Sequence, residues 1–151
     1  MRVLLKAFPL LLLFIIGLAQ AAEPALLTRF VPGRSLEEVT ATLKQAITAH
    51  NFTFVREQAI DSRLVPVDWE AKSVRIVYFC NFSMMDAALR RDLRTAQIMP
   101  CRVTLIEGRQ GVEMIAVNPA WVGEQWHVPD LQPHCLRLKQ DYLAILEEAA
   151  L

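Results

Sequence analysis

Three cysteines are the residues of this chain with the most specific chemistry. Cys80 and Cys101 are separated by 20 residues, and Cys135 follows further along. A thiol can pack as a small apolar group, form a disulfide, bind a soft metal such as Cu(I) or zinc, or act as a redox nucleophile when its pKa is lowered. Asn81 and His134, each next to a cysteine, are secondary candidates for the same site.

The sequence leaves four interpretations of these cysteines open. Inert buried thiols are the simplest, because Cys is among the most buried residue types. A Cys80–Cys101 disulfide would stabilise the fold by roughly 3 kcal/mol and leave Cys135 unpaired. A soft-metal or haem-type site is the third, with three methionines between Cys80 and Cys101. A reversible redox pair is the fourth, although the chain has no Cys-x-x-Cys motif.

The first two cysteines stand at the ends of predicted strands. Alternating apolar residues predict one strand over Ser73–Cys80 and another over 101–107. A cap signal predicts a helix from Ser83 between them. If the strands are antiparallel neighbours, the end of the first meets the start of the second, and alternation can place Cys80 and Cys101 on one face. Cys135, on the last helix, would then pack above them.

The remaining patterns predict the fold class. They indicate a capped helix from Leu36 to about Ala49, a short strand over 52–56, an irregular segment over 57–72, a hairpin turning at 108–111, a loop over 120–133 containing Trp121 and Trp126, and a last helix from about Pro133. The order is helix, strand, strand, helix, hairpin, helix, without regular βαβ alternation. It predicts an α+β fold, a mostly antiparallel sheet with helices packed on one face.

The N-terminus has the three parts of an export signal. Arg2 and Lys6 precede an apolar run over 10–18, and small residues follow at Ala19 and Ala21. The run is shorter than the roughly 20 residues that span a bilayer. We therefore predict that residues 1–22 are a cleaved signal peptide and that the protein is periplasmic or secreted.

Composition limits what the remaining chain can be. Residues 23–151 are one domain by size. Their charge is 14 basic against 16 acidic residues, after Arg2 and Lys6 are removed from 16 against 16. This balance favours no nucleic-acid partner. We also expect no stable membrane span after cleavage, and the sequence leaves open whether the domain forms a homodimer.

The stretch from His50 to Pro119 resembles the domain-of-unknown-function 302 family. The resemblance rests on three motifs, Phe79-Cys80-Asn81, Met99-Pro100-Cys101-Arg102-Val103 and Ala116-Val117-Asn118-Pro119. The tail over 142–151 is similar to the tails of exported members, whereas Phe82 stands where the family often has proline. The resemblance implies an α+β sheet domain similar to the TATA-binding-protein-like class. It implies no reaction.

The most favoured function is non-enzymatic binding of a small ligand or metal around Cys80, Cys101 and Cys135. The chain has no Gly-x-Ser-x-Gly nucleophile motif and no glycine-rich phosphate loop. One alternative is a thiol–disulfide or sulfur-handling protein. Another is a structural or interaction module with inert cysteines, which an exposed apolar patch around Trp121 and Trp126 would support.

Overall fold

Strands and helices follow one another without a regular repeat. The computed structural model describes residues 22–60, 73–127 and 129–151. Their elements in chain order are β1 (Leu26–Pro32), α1 (Leu36–Ala49), β2 (Thr53–Ile60), β3 (Ser73–Cys80), α2 (Phe82–Arg91), a 3-10 helix (Leu93–Ile98), β4 (Cys101–Gly108), β5 (Gly111–Val117), α3 (Pro119–Trp126), a second 3-10 helix (Pro129–Leu131) and α4 (Gln132–Ala149).

The strands form one sheet in the order β1-β5-β4-β3-β2. Every neighbouring pair is antiparallel. The chain reaches β1 and β2, the two edges, from opposite ends of α1. This sheet confirms the predicted α+β class.

The core lies between one face of the sheet and two helices, α1 and α4. Val77, Val103 and Met114 point inward from the sheet and are fully buried. They meet apolar residues of both helices, among them Leu43 and Ile145. Burial of such side chains, worth roughly 1.5–3 kcal/mol each, is what holds the helices on this face.

The start of α1 follows the predicted capping box. Ser35 Oγ accepts a hydrogen bond from the Glu38 backbone N–H, and the Glu38 carboxylate accepts one from the Ser35 N–H at 2.8 Å. Both orphan donors of the first turn are thereby satisfied. These hydrogen bonds hold the pKa of Glu38 below its usual range.

Strand β1 is absent from the prediction. Only Leu27 and Val31 of this strand are buried, and Arg29 occupies the inward position between them. Arg29 forms an ion pair with Glu147 of α4 instead of entering the apolar core. The alternation that identifies a strand is therefore interrupted at its centre.

Strand β2 is longer than predicted. It continues four residues beyond Arg56 to Ile60, and the remainder of the predicted irregular segment, 61–72, lies outside the described residues. Because β2 is an edge strand whose side chains are almost all exposed, its sequence carries little apolar periodicity.

Two helices also differ from the prediction. Helix α2 begins at Phe82 with Asn81 as its cap, not at Ser83, and ends before Leu93, which is 79% exposed. The segment predicted as a loop over 120–133 contains most of α3 and a 3-10 helix. Trp121 and Trp126 belong to α3 and are half-buried. The exposed tryptophan patch considered for an interaction module is therefore not formed.

The predicted signal peptide lies almost wholly outside the described residues, which begin at Ala22. Among the helices that the structure describes, none has the length and apolar content needed to cross a membrane.

Candidate functional site

A cavity lies where β3 ends, β4 begins and helices α2 and α4 start. All three cysteines line it, together with Asn81 and His134. Its other lining residues are Phe52, Met84, Met85, Ala88, Thr95, Ile98, Met99, Pro119, Leu131 and Leu138. The volume is about 70 Å³. That is far below the roughly 300–1,000 Å³ of pockets for larger ligands, so a haem-type group does not fit it.

Cys80 is placed by the strand-to-helix transition. It is the last residue of β3, is 4% exposed, and its Sγ lies 3.5 Å from Met85 Sδ in the first turn of α2. Asn81 fixes that turn, because its Oδ1 accepts a hydrogen bond from Met84 N–H at 3.1 Å and its Nδ2 donates to Asn51 O at 3.2 Å. Asn81 therefore positions α2 over Cys80.

Cys101 opens β4 and contacts a buried tyrosine of α4. Burial raises the pKa of Cys101 to about 11, against a smaller opposing effect of its hydrogen bond with Tyr142. The Tyr142 hydroxyl also accepts a hydrogen bond from Arg102 N–H at 3.1 Å. Tyr142 is itself buried, which raises its pKa well above the usual value. Cys101 thus lies in a dry environment with one polar neighbour.

The strand register corrects one expectation. Cys101 pairs directly with Phe79, while Cys80 pairs with Thr53. Since side chains alternate along a strand, Cys101 lies on the helix-covered face with Phe79, and Cys80 points to the opposite face. The two thiols reach the same cavity because it lies at the end of the paired strands.

Cys135 reaches the cavity through close packing of α3 on α4. It lies in the first turn of α4, opposite Gly123 of α3. A Cβ at position 123 would be 3.0 Å from Cys135 Sγ and 3.1 Å from its Cβ. Glycine is therefore what allows the two helices to approach here. Burial raises the pKa of Cys135, as it does that of Cys80.

All three cysteines are among the described residues, and all are free thiols. The Cys80–Cys101 disulfide considered above is not formed. With raised pKa values, each thiol holds its proton at neutral pH. Reactive cysteines need the opposite shift, a lowered pKa together with solvent access.

Three methionines add thioether sulfur to the same cavity. Met84, Met85 and Met99 line it beside the cysteines, which makes it a sulfur-lined cavity with six sulfur side chains. Met84 also packs against the apolar core, although α2 has no fully buried residue. The sulfur side chains line one cavity because the end of β3, the start of β4 and the starts of α2 and α4 border it. That convergence depends on β3–β4 pairing, which the spacing of the cysteines only partly indicated.

Few side chains with oxygen or nitrogen ligands accompany the six sulfur side chains in the cavity. Within the described residues, no group of three or more His, Cys, Asp or Glu side chains could hold a metal ion. His134, the nearest imidazole by sequence, is largely exposed at the rim. Zinc sites use four such ligands, so the cavity does not match a zinc centre.

Comparison with known proteins identifies the family. The sequence profile of the family described as Domain of unknown function DUF302 matches residues 28–149. The chain belongs to the DUF302 family. The crystal structure of an uncharacterized conserved DUF302 protein from Bacillus stearothermophilus has the same fold, with a TM-score of 0.74 over 83% of this chain and 98% of that chain at 15% identity. No curated protein matches.

In this DUF302 chain, the motifs that carried the resemblance border the cavity. Phe79-Cys80-Asn81 ends β3, and Pro100-Cys101 opens β4. The family match extends across both, and also over β1 and α4, beyond the 50–119 stretch where the resemblance was strongest.

Proposed function

We propose that this DUF302 domain binds a soft metal ion of the Cu(I) class in the sulfur-lined cavity, without catalysing a reaction. The observation that carries the proposal is the convergence of six sulfur side chains on one small cavity. Cys80 Sγ and Met85 Sδ are 3.5 Å apart, and Cys101 lines the same cavity. We take these three as the inner donors.

The type of donor selects the metal. Thiolate and thioether sulfur together favour Cu(I), whereas magnesium, calcium and manganese favour oxygen, and zinc is bound by Cys, His or carboxylate ligands and not by thioethers. The cavity lining offers six sulfur side chains, against three other side chains that carry oxygen or nitrogen donors, those of Asn81, Thr95 and His134. A volume of about 70 Å³ fits an ion or a ligand of a few atoms.

Protonated thiols couple binding to pH. A metal must displace the protons of Cys80 and Cys101, because burial raises the pKa of both. Below those pKa values each thiolate ligand costs one proton, so affinity rises about tenfold per pH unit for each cysteine that binds. Two cysteine ligands give a dependence of about 100-fold per pH unit.

The same raised pKa values weigh against the thiol–disulfide alternative. A redox pair needs a thiolate that can attack, and burial keeps all three thiols neutral.

The test is anaerobic competition between the reduced protein and a coloured Cu(I) chelator. We expect one tightly bound equivalent, an affinity that falls about 100-fold in Cys80→Ser, and a clear loss in Met85→Leu. Met114→Leu is the matched control, because Met114 is fully buried but lies outside the cavity lining. Failure of the protein to compete for Cu(I), or equal affinity in Cys80→Ser, would show that the sulfurs serve packing only.

Export is part of the proposal. The pattern of residues 1–22 supports it, and Glu23, directly after that segment, is bound to the domain. The Glu23 carboxylate, directly after the predicted cleavage site, accepts hydrogen bonds from Lys139 Nζ at 2.6 Å and from Asn118 Nδ2 at 3.0 Å. These bonds lower the pKa of Glu23, first through Lys139.

A further inference from the structure

We propose that two copies of this chain pack against each other through the open face of the sheet. The open face comprises the outward-pointing positions of β1, β5, β4 and β3, on the side opposite α1 and α4, apart from Cys80, which points to this side but is buried in the cavity. The proposal concerns a different surface from the sulfur-lined cavity and does not depend on metal binding.

The open face carries exposed apolar side chains, whereas a sheet face in contact with water normally carries polar ones. Leu26 and Phe30 of β1 are each 51% exposed, and Val117 of β5 is 38% exposed. Ile115 and Ile106 occupy further outward positions between them. An antiparallel sheet with one solvated face normally alternates apolar inward and polar outward residues. Exposed apolar side chains grouped on one face of a sheet favour a protein interface there.

The register arranges these side chains in three rows across the strands. The central row contains Thr28, Ile115, Thr104 and Ile76, which are successive partners in the sheet. Apolar and small side chains therefore lie at the middle of the face. Such a row is complementary to a second copy of itself, as a two-fold interface requires.

The size of the face suits a weak dimer. The four strands of the open face, spaced about 4.8 Å apart and about seven residues long, cover about 19 Å by 24 Å in projection, or about 460 Å². The accessible surface of the side chains exceeds this projection. It is nevertheless below the roughly 800 Å² that each partner buries in an interface of standard size, so the expected dimer is a weak, concentration-dependent one.

Two charged residues on the open face favour one orientation of the two copies relative to each other. Arg102 stands two residues before Thr104, and Glu113 stands two residues before Ile115. Because Thr104 and Ile115 are partners in antiparallel strands, Arg102 and Glu113 lie on opposite sides of the central row. Both side chains are exposed, and neither has an ion-pair partner among the described residues.

A two-fold axis that runs along the central row would pair these charges across the interface. It exchanges the two outer rows, which brings Arg102 to within one strand spacing, about 4.8 Å in projection, of Glu113 of the partner subunit. An axis parallel to the strands would instead bring two arginines together. The charge pattern therefore favours the first arrangement, in which two Arg102–Glu113 pairs flank an apolar centre.

Charge reversal tests the arrangement on reduced, metal-free protein. Analytical ultracentrifugation over a range of concentrations should show a dimer for the natural chain. Arg102→Glu and Glu113→Arg, each placing like charges opposite each other, should weaken dimerisation about tenfold or more, and the double variant should restore it. Glu124→Lys, an exposed charge on α3, is the control and should leave the dimer unchanged.

Two results would overturn the proposal. A monomer at every concentration would show that the face is solvated or covered by a segment of the same chain. A dimer that is indifferent to both single reversals, or that is not restored in the double variant, would assign the interface to another surface. Because the substituted residues are exposed, circular dichroism should show the same fold in all variants.

Discussion

At the scale of single residues, Cys80 and Cys101 differ in the side chains that surround them. Cys101 lies against the hydroxyl of Tyr142, whereas Cys80 contacts the thioether of Met85. Neither environment favours a thiolate in the absence of a bound cation, because burial penalises the charged form. A cation in the cavity would reverse that balance by pairing with the thiolate.

The raised pKa of Cys101 predicts how stability depends on pH. The folded thiol keeps its proton up to about pH 11, while the unfolded thiol loses it near pH 9. Between these values the unfolded chain binds fewer protons, so the free energy of unfolding falls as pH rises. The full effect is about 2–3 kcal/mol.

Urea unfolding at pH 8, 9 and 10 measures this dependence. Cys101→Ala should be less stable than the natural chain at pH 8, but should lose less stability on going to pH 10. A decline with the same slope in both proteins would show that Cys101 is more accessible to water than its burial indicates.

At the scale of elements, contact between α3 and α4 is the tightest constraint on the cavity. Gly123→Ala would place a Cβ 2.5 Å from Gln132 Oε1 and 3.0 Å from Cys135 Sγ. Alanine gains about 1 kcal/mol of helix propensity, but the overpacking costs typically 1–3 kcal/mol. We expect a net loss of stability and a displaced Cys135.

Thermal unfolding and the rate of Cys135 labelling by a thiol reagent measure the two effects. Gly108→Ala is the matched control, since its Cβ would meet nothing closer than Gly111 O at 3.8 Å. A Gly123→Ala protein that is more stable than the natural chain, with unchanged labelling, would contradict the account of this contact.

The elements also show what the sequence could predict. Helix α1 and strand β3 follow from a capping box and from apolar alternation, because both bury a regular stripe against the core. Strand β1 was not predicted because Arg29 interrupts the apolar residues of its inward face. Helix α3 was not predicted because proline and glycine, here Pro119 and Gly123, are typical of loops. The cysteines and three methionines were named as possible ligands of a soft metal, but the sequence could not show that they line one cavity, since only β3–β4 pairing and the packing of α2 bring them together.

At the scale of the whole molecule, the sheet separates two surfaces. The end of β3 and the start of β4 border the sulfur-lined cavity, and the face opposite the helices carries the exposed apolar residues. A metal could therefore enter the cavity in each copy of a dimer, because the proposed interface does not cover α2 or α4. Binding and dimerisation are expected to be independent.

Export makes its own prediction for the full chain. Protein recovered from the periplasm should begin at Ala22 or Glu23, since cleavage is expected after Ala21 or Ala22. Intact-mass spectrometry of that fraction measures the start directly, with an Ala19→Lys and Ala21→Lys double variant as the control that should block cleavage. A full-length mass in the natural protein would contradict the proposed processing.

X-ray absorption at the copper edge of the Cu(I)-loaded protein tests the central claim most directly. The account predicts a first shell made of sulfur alone, which persists in Met114→Leu and is lost or depleted of sulfur in Cys80→Ser. A shell containing nitrogen or oxygen, or copper that is removed by simple desalting, would contradict the assignment of the sulfur-lined cavity as a metal site.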